Sequence, residues 1–354
     1  MKKIFLMMMM LATFIFSGCN TQAAINDNSA AVNDDLKISM LNIGHGDAIL
    51  IRTKQQTILV DSANSKHRNM LVKELEKLSV TKIDKLILTH AHIDHTGNTK
   101  VLINPNKKDL EEYPYLEKIS VAEVYDNGIA YGSSVYKNYM KAIQTKGIPY
   151  KSLKAGDVLD FGNGVKFNVL FPTKDFVEIK NSGQFDKKDR AYNTNNGSIV
   201  GKLTYKNFSM MFTGDCEKES EAKIVANNKV EDLKCDVLKA GHHGISTSSK
   251  KKFVTAINPS VVVISAANRA DEAYISPGRP HLKVLENYLA CGINPKNIFC
   301  TRFNHTITIT SDGKSFSVQP EIEKDWVESW IAGKKEDAKN HKNQSVEADV
   351  EEAN

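Results

Sequence analysis

The stretch His90-Ala91-His92-Ile93-Asp94-His95 constrains this chain more than any other. Three imidazoles and a carboxylate fall within six residues, directly behind the run Lys85-Leu86-Ile87-Leu88. That run has the length and bounding of a buried strand. A strand end followed by a tight turn can aim all four side chains into one small volume. Imidazole nitrogen and carboxylate oxygen at short range are the ligands that a Zn²⁺-like ion takes. Burying four such groups without a metal leaves much polar surface to satisfy. The competing reading, a solvated histidine-rich turn, needs a chain with only 10 histidines to gather three of them by accident.

With Thr96-Gly97-Asn98 behind it, the pattern resembles the hallmark of the metallo-β-lactamase-fold hydrolases. The resemblance implies an α/β fold of the αββα sandwich type and two divalent ions, Zn²⁺ first and Mn²⁺ as the other option. It puts His90 and His92 on one metal, and Asp94 and His95 on a second, with Asp94 also counted among the catalytic groups. Phe208 to Phe212 reads as a strand ending in Thr213-Gly214-Asp215, and the resemblance makes Asp215 the carboxylate that bridges the two metals. Cys235 to Ala240 reads as a buried strand feeding Gly241-His242-His243-Gly244. That second histidine cluster is similar to a segment of the metallo-β-lactamase-like part of ComEC-type competence proteins. One of its histidines completes the second metal site; His242 is favoured, with His243 facing the substrate or the same pocket. The Ser/Thr run 246–249 reads mainly as a cap for the next helix.

Other segments border this centre. Thr57 to Ser62 is a strand ending in an acid, and in the fold Asp61 orients the metal loop through hydrogen bonds that fix histidine tautomers. In Asn42-Ile43-Gly44-His45-Gly46-Asp47, two glycines beside an acid permit close backbone approach. This turn also resembles the ComEC-type branch, with His45 where a Gln is expected, so His45 and Asp47 line the cleft or support it without serving as ligands. The segment 193–198 departs from the broad family, which supplies a third histidine to the first metal there. It offers Asn195 or Asn196 with Ser198, suited to holding a water or a substrate oxygen. A neutral amide in place of imidazole lowers the expected affinity of the first site. His281, before a helix running to Ala290, is the candidate general acid; a surface histidine at a helix start is the competing reading.

The chain of 354 residues has room for one large domain or two small ones. The resemblance covers 36–319, one continuous domain. Lys2 and Lys3, an apolar stretch to Phe16 and then Ser17-Gly18-Cys19 describe a secretory signal too short to span a bilayer. Cys19 after two small residues looks like a bacterial lipoprotein site, lipidated after cleavage. Residues 20–35 read as a flexible tether, 320–333 as a C-terminal helix carrying Trp326 and Trp330, and 334–354 as a disordered charged tail. Cys291 and Cys300 are the nearest cysteine pair, and two thiols is the favoured reading over a bridge.

A formal net charge of +5 suits an anionic substrate without arguing for nucleic acid, since no dense Lys/Arg stripe alternates with aromatics. Two metals clamp the attacking and leaving oxygens of an in-line displacement, a geometry that suits phosphodiesters. The expected function is therefore a metal-dependent hydrolase, a phosphodiesterase held outside the cytoplasm by its lipid anchor, with DNA or a phosphorylated surface component as substrate. No protein partner can be inferred. Two alternatives stand beside it: a β-lactamase or lactonase, and a metal-stabilised binding module with little turnover.

Overall fold

A computed structural model describes residues 24–25, 35–267 and 278–351. Cys19, the signal stretch and nearly all of the tether lie outside the described residues. Two sheets pack face to face. In spatial order the first runs Ala24–Ile25, Ser315–Pro320, Ile307–Ser311, Leu36–Met40, Ile49–Thr53, Thr57–Val60, Lys85–Ile87, Val124–Asp126 and Tyr150–Ser152. The second runs Val158–Asp160, Lys166–Phe171, Val200–Tyr205, Phe208–Phe212, Val237–Lys239, Val261–Ile264 and Ile298–Cys300.

Apart from the short parallel pair of Ala24–Ile25 with Ser315–Pro320, each sheet starts antiparallel and then turns parallel. Thr57–Val60, Lys85–Ile87 and Val124–Asp126 run side by side in the first sheet, as do Phe208–Phe212, Val237–Lys239 and Val261–Ile264 in the second. Parallel neighbours need crossover helices, and these cover the outer faces. Arg68–Lys77 and Ser134–Lys146 lay Leu71, Leu75 and Tyr139 against Leu59, Leu86 and Val124. Lys251–Ile257 and Leu282–Ala290 lay Val254 and Tyr288 against Met211, Leu238 and Val262. Between the sheets lie Ile38, Ile51 and Ile58 from one and Phe167, Leu203 and Met210 from the other. The result is the expected αββα sandwich. Phe208–Phe212 shows why a central strand reads as continuously apolar. Phe208, Met210 and Phe212 face the other sheet, while Met211 faces the helices.

Two expectations are corrected. Residues 299–309 and 314–318 read from the sequence as a final hairpin around 311–313, but only the later part of the first stretch is in it, because Ile298–Cys300 closes the second sheet beside Val261–Ile264. The chain then crosses through Thr301–Asn304, and Ile307–Ser311 pairs with Ser315–Pro320 and Leu36–Met40 in the first sheet. His305, exposed at the crossing with φ 55°, serves that turn. The tail is also helical, Val327–Glu351 continuing past Gly333. Its Glu, Lys and Ala residues are good helix formers even without an apolar face. The helix needs only a nucleus, and packing at its start supplies one. Trp326 stacks on Phe303 with ring centroids 4.5 Å apart, and Trp330 Nε1 donates to Pro280 O at 2.9 Å. No helix among the described residues is long and apolar enough to cross a membrane.

Candidate metal centre

The parallel strands deliver their carboxyl ends to one edge of the sandwich, where open α/β sheets place their ligands. Asp61 follows Thr57–Val60, His90 follows Lys85–Ile87, Asp215 follows Phe208–Phe212, and His242 and His243 follow Val237–Lys239. Asp94 and His95 ride on the single turn Ile93–Thr96. Gly46, at φ +121°, lets that turn seat: a Cβ there would lie 2.0 Å from Asp94 O. Asp47 N donates to the same carbonyl at 3.1 Å.

Four side chains converge closely enough to share one ion: Asp94, His95, Asp215 and His243. His95 Nε2 lies 3.3 Å from Asp215 Oδ1 and 3.9 Å from Asp94 Oδ2. His243 Nε2 lies 3.4 Å from Asp94 Oδ2 and 3.5 Å from Asp215 Oδ2. Most of these separations exceed hydrogen-bond length. They match the roughly 3.4 Å that separates donors around a tetrahedral ion with bonds of about 2.0–2.1 Å. His95 Nε2, His243 Nε2 and Asp215 Oδ1 are also buried without a hydrogen-bond partner. Unpartnered buried ligand atoms aimed into one volume fit a divalent cation.

The rings are held from behind. His95 Nδ1 is 2.8 Å from Asp61 Oδ2, and His243 Nδ1 is 3.0 Å from Ser265 O. Asp61 also accepts from Thr89 N and Thr89 Oγ1. Such partners leave Nε2 bare toward the pocket. Asp47 is buried 3.5 Å from His243 Nδ1 and paired with Lys239, whose Nζ lies 2.5 Å from Asp47 Oδ2. Ser198 Oγ accepts from Asp215 N at 3.0 Å and so steadies the shared carboxylate.

His90 and His92 stand next to this set, their Nε2 and Nδ1 atoms 3.0 Å apart, with His90 Nε2 3.9 Å from Asp215 Oδ2. Asp215 therefore lies between two groups of histidines. The electrostatics suit cations. Burial opposes ionisation of Asp94 and Asp215, but the surrounding histidines prevail and hold both carboxyls well below the usual range. Burial keeps His90 and His92 neutral and able to ligate.

Three assignments change. His243, not His242, stands with Asp94, His95 and Asp215, because the two residues leave the strand in different directions. His242 turns instead to Glu217, with Nδ1 3.2 Å from Glu217 Oε1 and Nε2 3.7 Å from Asp215 Oδ2. Asn196 does not face substrate. Its Oδ1 accepts from Glu217 N and Ser220 N, and its Nδ2 donates to Arg190 O and Glu219 Oε2, leaving Asn195 beside His242. The Ser/Thr run does not cap the helix Lys251–Ile257; Glu221 takes Ser249 N and Lys250 N.

His45 sits at the edge of the centre, with Nε2 2.9 Å from Asp94 Oδ2 while its Nδ1 accepts from Arg279 Nη1 at 3.0 Å. His281 precedes Leu282–Ala290, half-buried, its Nδ1 accepting from Ser246 N at 3.2 Å. Lys239, Glu217 and Arg279 went unread in the sequence. Only Lys239 carried a signal, a lysine inside the otherwise apolar Val237-Leu238-Lys239-Ala240.

A metal-ligand box at the strand ends of an αββα sandwich defines a metallohydrolase. The chain belongs to the metallo-beta-lactamase superfamily, whose family profile matches residues 41–267. That fold typically binds two divalent metals, and Asp94, His95, Asp215 and His243 form a candidate site for one of them. The likeness to ComEC-type proteins is borne out among its relatives. ComE operon protein 3 of Bacillus subtilis (strain 168) is 28% identical over 268 residues, covering 71% of this chain and 30% of that protein. Recombination protein 2 of Haemophilus influenzae is 26% identical, covering 71% and 26%. The chain thus spans less than a third of the length of these relatives. The metallo-beta-lactamase fold protein YhfI from Bacillus subtilis superposes with a TM-score of 0.47 at 10% identity, covering 77% of this chain and 100% of its own.

Proposed function

We propose that this hydrolase is a two-metal phosphodiesterase acting outside the cytoplasm, on DNA or on a phosphorylated surface component. The observation that carries the reading is the position of Asp215. Its Oδ1 faces His95, and its Oδ2 faces His90 and His243, so one carboxylate serves two adjacent donor sets. When bound, two divalent ions supply Lewis acidity and activate a water for in-line attack. The chain's own residues orient the substrate and move the proton. Arg279 holds His45 against Asp94, and the formal net charge of +5 suits an anionic substrate. His281 takes a backbone N–H on Nδ1, so the neutral ring carries its proton on Nε2, as a donor to a leaving oxygen requires.

The test is turnover of bis(p-nitrophenyl) phosphate by the purified full chain, stripped of metal and reloaded with Zn²⁺ or Mn²⁺. Metal-dependent turnover, lost in His90→Ala, is expected. Bound metal with hydrolysis only of lactams or lactones would replace the phosphodiester reading, and bound metal with tight DNA binding but no cutting would favour a binding module. Extracytoplasmic placement rests on Cys19 as a lipidation site; Cys19→Ala should move the protein from the membrane to the soluble fraction.

A further inference from the structure

We propose that His242, backed by Glu217, supplies the third nitrogen to the metal position that His90 and His92 begin. The proposal deepens the metal-site reading above and rests on it. The first donor group is short of ligands. His90 Nε2 and His92 Nδ1 give two nitrogens, and Asp215 Oδ2, 3.9 Å from His90 Nε2, gives one shared oxygen. A tetrahedral zinc position takes four ligands, so two nitrogens and one shared oxygen leave a place open that a third imidazole suits.

The segment 193–198 is occupied elsewhere. Asn193 and Asn195 donate to Glu217, Asn196 is taken up by backbone and Glu219, and Ser198 serves Asp215 N.

His242 has the posture of the other ligands. His95 and His243 both tie Nδ1 back, to Asp61 and to Ser265 O, and aim Nε2 at Asp215. His242 does the same, with Asn195 Nδ2 also 3.4 Å from its Nε2. Nδ1 lies 3.2 Å from Glu217 Oε1 and 3.1 Å from Thr247 Oγ1, and Nε2 lies 3.7 Å from Asp215 Oδ2, close to the 3.9 Å of His90 from that same oxygen. A carboxylate behind one ring nitrogen fixes the tautomer that bares the other, the arrangement that accompanies metal-ligating histidine.

The backbone points the same way. His242 and His243 have φ, ψ of 48°, 48° and 53°, 27°, two successive non-glycine residues in the left-handed region. That conformation is costly and persists where the surroundings over-determine it. Here it brings two adjacent rings to one oxygen of Asp215, which successive residues of a strand would send to opposite faces.

The test counts metal rather than turnover. The purified full chain is stripped with a chelator and titrated with Zn²⁺ and Co²⁺, following ions bound per chain, affinity and the Co²⁺ absorption bands. His242→Ala should lose one ion per chain and the matching part of the Co²⁺ spectrum, as should His90→Ala. Glu217→Gln, which keeps size but sets its NH₂ against two of the four donors that Glu217 now faces, should weaken that same ion by roughly 10- to 100-fold. Unchanged stoichiometry, affinity and Co²⁺ spectrum in a folded His242→Ala protein overturns the proposal, as does a wild-type chain holding one ion that His242→Ala retains. Should the alanine variant fail to fold, Glu217→Gln with wild-type affinity overturns it instead. Failure of the phosphodiesterase reading would appear as absent turnover with both ions bound, leaving the count intact.

Discussion

Nδ1 of His95 lies 2.8 Å from Oδ2 of Asp61, and neither residue has surface open to solvent. Asp61 accepts three times, Oδ1 from Thr89 N and Oδ2 from Thr89 Oγ1 and His95. An amide in its place must set its NH₂ against one of these donors. Facing His95, it would draw the ring proton onto Nε2 and close the lone pair that a metal needs. Asp61→Asn should therefore fold yet bind the second ion about 10- to 100-fold more weakly. Competitive titration against a chromogenic chelator reads this directly, and wild-type affinity would remove Asp61 from the tautomer-setting role.

The ligand loop was legible from His90 to His95 because its members are close in sequence and follow a clear strand. Asp61 and Asp215 were legible as acids at the ends of apolar runs. The choice between His242 and His243 was not, because it turns on two left-handed backbone conformations that no side-chain pattern announces. Asn195 and Asn196 are separated in role by the single 3₁₀ turn Asn195–Gly197, which buries one and leaves the other beside the cleft. Lys239 pairs with Asp47 from the opposite half of the chain, beyond the reach of local periodicity. The helix through Glu351 was read as disorder because charge density without an apolar face describes both a solvated helix and a coil.

Metal uptake should depend on pH. In the metal-free protein burial pushes His95 down, yet Asp215, Asp61 and Asp94 carry it well above its ordinary 6.5. His243 is likewise raised, by Asp215 and Asp47 acting against burial. Folded-state values above the unfolded ones mean a stabilisation fully present below pH 6.5 and lost as pH rises through the folded values. Metal takes the bare nitrogen, so uptake must expel these protons. Affinity should rise with pH above 6.5, and the stability lost by the metal-free form at high pH should be absent from the loaded one. Calorimetry in buffers of differing ionisation enthalpy measures the protons released; proton-neutral uptake at pH 7 would contradict the ion pairs.

Lys239 is wholly buried with its ammonium against Asp47, and it donates to Gly214 O at 2.9 Å. Removing one member of a buried pair leaves an uncompensated charge, typically costing about 3–5 kcal/mol. Lys239→Met should lose stability on that order, with Asp47→Asn restoring part of it in the double variant. A cycle of urea denaturations on the metal-free chain measures the coupling, and additive losses would show that the pair acts as two separate contacts.

Gly46 ties the ligand loop to the rest of the centre. Its carbonyl accepts from Ser265 Oγ at 2.7 Å, Ser265 O holds His243, and the residue after it donates to Asp94 O. With φ at +121° and a would-be Cβ 2.0 Å from Asp94 O, no side chain fits unless the turn Ile93–Thr96 withdraws. That withdrawal would carry Asp94 away from His243 and His95 while leaving His90 and His92 on their strand end. Gly46→Ala should therefore weaken the second ion far more than the first, with a stability loss of about 1–3 kcal/mol from the left-handed backbone. The Co²⁺ spectrum separates the two positions. Equal loss at both would mean that the glycine supports the whole edge of the sandwich and not the Asp94 turn alone.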